Sequence, residues 1–156
     1  MFKSRIAGLL AATVAAFGLT SVTASSASAS ASAIEGPWKP WDNHWNTTCG
    51  QTTTHWLTTN AGFQACFIVD SGGVVQPVLV VKKNAAVAIR IKGSADSTYG
   101  TTVNCPATPL SAGQRTTCMG TTEALRPGNN DGWGNLSPWN NNAWYVGSTA
   151  VVRIIA

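Results

Sequence analysis

Charge is what this sequence most conspicuously lacks: only 10% of its 156 residues are Asp, Glu, Lys or Arg. The basic residues beyond the N-terminus (Lys39, Lys82, Lys83, Arg90, Lys92, Arg115, Arg126 and Arg153) are scattered, with only positions 82–92 forming a loose group. Nucleic-acid binders concentrate cations in a dense stripe, so no nucleic-acid partner is expected. Histidines number two and carboxylates six. No G-x-S-x-G elbow is present to mark a serine nucleophile. After residue 34 no window keeps a helical apolar period, because Gly, Pro, Asn, Thr and Ser interrupt each one. No later segment is long and apolar enough to span a membrane.

What is present begins with a leader. Lys3 and Arg5 make a short positive start, residues 6–19 are uncharged and apolar, and overlapping Ala-x-Ala sites end at Ala29, Ala31 and Ala33. This layout predicts a secretory signal peptide over residues 1–33. Its fourteen apolar residues reach only ~21 Å, short of a ~30 Å hydrocarbon core. The expected product is a secreted, extracellular, non-spanning chain of about 123 residues, one domain in size. It would keep eight basic residues against six acidic ones, a balance of +2. A Trp- and Pro-rich N-terminal arm over 34–48 would precede an all-β domain over 49–156.

The four cysteines, Cys49, Cys66, Cys105 and Cys118, all follow the leader. An even count in a small exported chain suggests disulfides, and three connectivities are possible. Cys49–Cys66 and Cys105–Cys118 are favoured because each pair brackets a stretch able to double back. Neither pair has the C-x-x-C spacing of a zinc site.

Short β-branched runs separated by turn residues predict strands. Residues 52–59 (TTTHWLTT) and 63–69 (FQACFIV) read as a strand and its return, and Asp70-Ser71-Gly72-Gly73 as a turn. Residues 74–81 (VVQPVLVV) are strongly apolar, although Pro77 argues for an edge or a bulge. Lys82 to Asn84 would turn the chain. Residues 86–92 (AVAIRIK) alternate, with Arg90 and Lys92 on the wet face. A strand is expected at 101–105, a loop at 106–114 and a return at 115–119. Residues 126–142 (RPGNNDGWGNLSPWNNN) look like a long polar loop. Residues 143–155 look like a central strand with a break at Gly147. The expected fold is therefore all-β, a small disulfide-stapled antiparallel sandwich or Greek-key barrel.

Two short stretches resemble known units. Cys105 to Cys118, with Leu110 and Gly113 between, resembles a hairpin of immunoglobulin-like secreted and adhesive sandwich domains over fourteen residues. Residues 56–72 (WLTTNAGFQACFIVDSG) are similar to a Greek-key unit of βγ-crystallin-type secreted proteins, but lack that family's calcium-binding Asp/Asn pattern. These matches point to two different folds and define no family.

Catalysis is not expected. Glu35, Asp42, Asp70, Asp96, Glu123 and Asp131 all sit in or beside apparent turns, where carboxylates commonly hold local backbone. Paired cysteines leave no thiolate nucleophile. Asp42, His44 and His55 could in principle ligate zinc or copper, yet their spacing does not enforce it. On a strand, His55 would alternate outward while Trp56 points inward. No cofactor and no metal are expected.

The seven tryptophans are unevenly placed: Trp38, Trp41, Trp45 and Trp56 fall within nineteen residues. Trp56 and Trp144 lie in apolar strands and read as core. Trp38, Trp41, Trp45, Trp133 and Trp139 are surrounded by loop-forming Pro, Gly, Asn and Asp. Indoles in such places suit a binding role, stacking on the apolar face of a sugar ring while neighbours such as Asn130 and Asp131 reach its hydroxyls. The competing view is a flap: Trp38 and Trp41, stiffened by Pro37 and Pro40, would cover an open face of the sandwich. Covering is preferred for those two, and neither view is preferred for Trp133 and Trp139. The function expected is that of a non-enzymatic, monomeric binder of an extracellular glycan or cell-envelope ligand. The alternatives are a secreted antimicrobial or toxin-like protein and a protease inhibitor presenting the loop 106–114.

Overall fold

A computed structural model describes residues 32–42, 46–55, 58–84, 86, 88–140, 143–145 and 147–156. The leader up to residue 31 and the predicted sites at His44, Trp45 and Trp56 lie outside them. Among the described residues thirteen strands form two facing sheets, and there is no helix. No helix among them is long and apolar enough to cross a membrane.

The first sheet runs β1 (Ile34–Glu35), β8 (Val103–Leu110), β7 (Ile89–Ser97) and β11 (Asn129–Asn140). Its far edge is shared by β12 (Ala143–Trp144) and β13 (Ser148–Ile155), both paired with β11. The second sheet runs β2 (Trp38–Pro40), β9 (Arg115–Met119), β6 (Val74–Lys83) and β5 (Thr58–Val69). On it, β3 (Thr47–Cys49) and β4 (Thr53–His55) pair with β5, and β10 (Glu123–Ala124) pairs with β6. All pairings are antiparallel except β1 with β8. The arm is thus built into the domain, since β1 edges one sheet and β2 the other.

The core lies between the sheets. Ala61, Phe63, Ala65 and Phe67 from β5 and Val75, Leu79 and Val81 from β6 meet Ile91, Leu136 and Val152. Because successive strand side chains point to opposite faces, the even positions of β5 and β6 face away. There Cys66, Val78 and Val80 form a second cluster with Ile68, Met119 and Trp41 packed on it. Burial on both faces explains why 74–81 is a near-continuous apolar run.

Several expectations are met. Asp70 to Gly73 is a tight turn: the Gly73 N–H donates to the Asp70 carbonyl at 3.1 Å, and Gly73 takes a φ of 73° that glycine tolerates. Arg90 and Lys92 are exposed, and the last strand breaks before Ser148. Both favoured disulfides form, Cys49–Cys66 between directly opposed residues of β3 and β5, with Cα atoms 4.0 Å apart.

Other expectations are corrected. Cys105–Cys118 is not a hairpin staple within one sheet: β8 and β9 lie in different sheets, so the bond crosses the sandwich with Cα atoms 5.8 Å apart. The loop expected at 106–114 shrinks to a turn at 111–114, because β8 continues to Leu110. In that turn the Ser111 N–H donates to Gln114 Oε1 at 2.9 Å, and Gly113 has a φ of 69°. The strand expected at 86–92 runs instead over β7, at 89–97. Lys82 and Lys83 still belong to β6 rather than to a turn. Pro77 lies inside a central strand, where the gap between β9 and β10 accommodates its missing donor. The Gly120 N–H fills that gap, donating to the Pro77 carbonyl at 2.7 Å. His55 is buried rather than outward, and the β4–β5 register shifts at Thr54/His55, which breaks the alternation. Strand β13 is at an edge and not central.

The largest correction concerns 126–142. Residues 129–140 are β11, hydrogen-bonded to β7 on one side and to β13 and β12 on the other. Its inward positions are Gly132, Gly134, Leu136 and Pro138. A Cβ on Gly132 would lie 2.8 Å from the Phe67 ring, and one on Gly134 would lie 2.8 Å from Leu79 Cδ1. The glycines let the two sheets approach, with Phe67 and Leu79 supplying the packing volume. Gly134→Val is expected to overpack this contact and to cost about 1–3 kcal/mol. A lower urea midpoint at unchanged slope would show it, and an unchanged midpoint would show that the sheets have room to separate.

Candidate functional site

With glycines facing in, the large side chains of β11 face out. Asp131, Trp133, Asn135, Ser137 and Trp139 line the outer face of the first sheet. Trp133 and Trp139, both half-buried, are six residues apart on one face, a span of ~20 Å at ~3.4 Å per residue. Between them stand one amide and one hydroxyl.

The flanking strands complete the surface. On β7, Asp96, Ser94, Lys92 and Arg90 lie opposite Trp133, Asn135, Ser137 and Trp139. On the other side, Arg153, Val151 and Thr149 lie opposite Asp131, Trp133 and Asn135. The Asn135 side chain is fixed from both sides: its amide donates to Ser94 Oγ at 3.3 Å, and its carbonyl accepts from Thr149 Oγ1 at 2.5 Å.

At the Trp139 end, Trp144 of β12 meets Trp139 edge-to-face, with centroids 5.1 Å apart and planes at 66°. The Arg90 guanidinium carbon is 5.8 Å from the Trp139 ring centroid, and Lys92 Nζ is 4.9 Å from that of Trp144. Cations over indole faces are attracted by the ring quadrupole, which orders these long side chains. Trp144 therefore belongs to this surface and not to the core, contrary to expectation.

A cavity of about 390 Å³ opens beside the middle of β11. It lies where the β7–β8 register shifts between Ile91 and Gly93, leaving one extra β8 residue between Cys105 and Thr108. Gly93 forms part of its lining, and a Cβ there would come within 2.6 Å of Leu79 and 3.2 Å of the Trp38 ring. Glu35, Lys92, Asn104, Asn135 and Ser137 supply polar groups of both signs and both hydrogen-bonding senses.

The predicted binding residues separate accordingly. Trp133, Trp139 and Asp131 share this face. Trp38 does not: it packs on the core, and its indole N–H donates to the Pro106 carbonyl at 2.7 Å. Trp41 covers the outer cluster of the second sheet. Asn130 is buried, donating to the carbonyls of Arg126 at 2.7 Å and Gly128 at 3.1 Å and accepting from the Arg126 N–H at 3.1 Å, so it shapes the loop before β11. Asp131 accepts from Arg153 Nε at 2.5 Å and Nη2 at 2.8 Å. That hydrogen bonding holds its carboxyl below the usual range and raises the Arg153 guanidinium. Arg90, Lys92, Ser94, Asn135, Ser137 and Trp144 were not foreseen. The sequence signal available for β11 was the period of two in D-W-N-S-W, masked by the interleaved Gly, Leu and Pro.

The carboxylates are not confined to turns: Asp96 is in β7, Asp131 in β11, Glu35 in β1 and Glu123 in β10. Asp96 accepts from the Ser97 N–H and the Thr102 hydroxyl, both at 2.8 Å. Among the described residues, no three of His, Cys, Asp and Glu come together as metal ligands would.

The fold and this surface define a disulfide-stapled β-sandwich with an outward-facing aromatic strand. No family model and no curated protein matches the chain. Among solved structures, the GAE domain of GGA2p from Saccharomyces cerevisiae is similar at 11% identity and a TM-score of 0.42. The match covers 67% of this chain and 96% of that one. At that level it says nothing about what this chain binds.

Proposed function

We propose that this protein is a secreted, non-catalytic binder of an extracellular glycan or cell-envelope polymer, and that the outer face of the first sheet is its platform. The carrying observation is the inverted strand β11, with glycines inward and Trp133 and Trp139 outward. A strand serving only the core would bury its tryptophans, since burying large apolar side chains stabilises a fold. Indoles ~20 Å apart suit a ligand of several linked rings rather than a single small molecule. Between them, Asn135 and Ser137 offer donors and acceptors at sugar-hydroxyl height, and the adjoining cavity has room for a substituent of the chain. The two disulfides are compatible with an extracellular setting.

The test is depletion from solution by insoluble cellulose, chitin and peptidoglycan, with tryptophan fluorescence followed on soluble fragments. Saturable retention on at least one polymer, accompanied by quenching, supports the proposal. Failure on all three, together with dye release from intact cells, would favour the toxin-like alternative instead. Asn135→Ala is expected to weaken retention about fivefold, the equivalent of ~1 kcal/mol for one hydrogen-bonding group. An unchanged isotherm would remove Asn135 from the platform.

A further inference from the structure

The two ends of the tryptophan face differ in charge. At the Trp133 end Arg153 is ion-paired with Asp131. Asp96, directly opposite Trp133, accepts hydrogen bonds from two uncharged groups, the Ser97 N–H and the Thr102 hydroxyl. At the other end Arg90 stands opposite Trp139 and Lys92 opposite Ser137, and both cations are exposed. Among the described residues neither of them forms an ion pair with a carboxylate. Glu35 lines the cavity together with Lys92 but stands on β1, two strands from β7 and ~10 Å across the sheet. The partners of these cations are the indoles. The Arg90 guanidinium carbon is 5.8 Å from the Trp139 centroid and 6.0 Å from that of Trp144, and Lys92 Nζ is 4.9 Å from the Trp144 centroid. A cation–π contact engages the charge through the ring face and leaves N–H donors at the cation's rim able to hydrogen-bond. Two cations thus stand around one pair of indoles.

From this arrangement we infer that the polymer held by the tryptophan face is an acidic polysaccharide containing uronic-acid residues, with one sugar ring on Trp139 and its carboxylate at Arg90 and Lys92. The inference rests on the platform reading of this face and names the ligand class for it. A uronic acid carries its carboxyl group directly on the sugar ring, so a ring stacked on an indole keeps that group at its rim, where the two cations are. A phosphodiester lies between rings instead, away from the stacked position. The planar guanidinium meets both carboxylate oxygens at once, and the ammonium adds a compact point charge. At the opposite end Asp96 repels an anion, which sets the acidic sugar at Trp139 rather than at Trp133.

Fluorescence titration of the full chain with hyaluronan and with xanthan, in which uronic acid is interspersed with neutral sugars, tests the ligand class. Each is compared with the same polymer after reduction of its carboxyl groups to alcohols. The acidic form is expected to bind about tenfold tighter, the effect of one charge-assisted contact. In Arg90→Gln with Lys92→Gln that ratio should fall to about one. Lys39→Gln removes a cation of β2 on the second sheet and is expected to keep the full ratio. Thermal melts show that the exposed cations can be replaced without unfolding the chain, and the wild-type ratio needs no variant at all. Preference for the acidic form of either polymer, lost with Arg90 and Lys92, supports the inference. Equal binding of acidic and reduced forms, in a chain still retained on cellulose, chitin or peptidoglycan, overturns it and leaves the platform standing. Binding to none of these polymers removes the platform and the inference together. Equal loss of preference in Lys39→Gln, or tighter binding of yeast phosphomannan than of either uronate polymer, overturns the assignment.

Discussion

Replacing Trp133 and Trp139 together by alanine is expected to abolish retention on the polymer while leaving the fold intact. Each indole provides a flat apolar face on the exposed side of β11, and anchors of this kind dominate binding energies. A loss of ~2 kcal/mol per ring corresponds to a roughly thirtyfold weaker affinity for each single variant. The double variant then falls below detection in a depletion isotherm. Stability should fall only moderately, by about 1–2 kcal/mol in the double variant, because both half-buried side chains point away from the core made by Phe67, Leu79 and Leu136. Trp139 also has its edge-to-face contact with Trp144 to lose, so its single variant should lower the melting temperature slightly more. Full retention by the double variant would overturn the platform. A collapsed melting temperature would mean instead that the indoles serve the fold.

Removing the Cys105–Cys118 bond by double alanine substitution is expected to be the most destabilising change in the chain. Chain entropy alone assigns ~3 kcal/mol to a loop of this size. The Cys49–Cys66 loop is slightly longer, with a separation of 17 against 13 residues, so loop length would rank that bond equal or higher. Position reverses the order. Cys105 and Cys118 are both buried and tie one sheet to the other, whereas Cys49 is exposed on an edge strand. Deleting the inter-sheet sulfurs adds a core void to the lost constraint. Calorimetry should show a fall in melting temperature of roughly 10 °C, larger than for Cys49→Ala with Cys66→Ala. Because Cys105 also lines the cavity beside β11, polymer binding should weaken as well. Equal losses from the two pairs would show that loop closure alone sets their contribution.

The strand content, the Asp70–Gly73 turn and the cysteine pairs were legible because each rests on local chemistry: β-branched runs, positive-φ glycines and short bracketed stretches. Strand β11 was not. Asn, Gly and Pro are poor strand formers, and 126–142 has them throughout. Gly132 and Gly134 are strand residues only because Phe67 and Leu79, far away in sequence, fill the space that their absent side chains leave. His55 was missed for a related reason, since a register shift at Thr54 reverses the face that simple alternation assigns.

The N-terminal tryptophans show the same division. Their clustering, and the prolines that stiffen the arm, are properties of the sequence. Covering was the preferred expectation for Trp38 and Trp41, and both do cover, one on the core and one on the outer cluster of the second sheet. No local signal separated them from Trp133 and Trp139, which have the same kind of neighbours and face outward. Composition and turn chemistry by themselves determined an all-β chain with two short-range disulfide loops. Which tryptophans pack and which remain at the surface was decided only by tertiary structure, because a strand's buried face depends on what the opposite sheet places across from it.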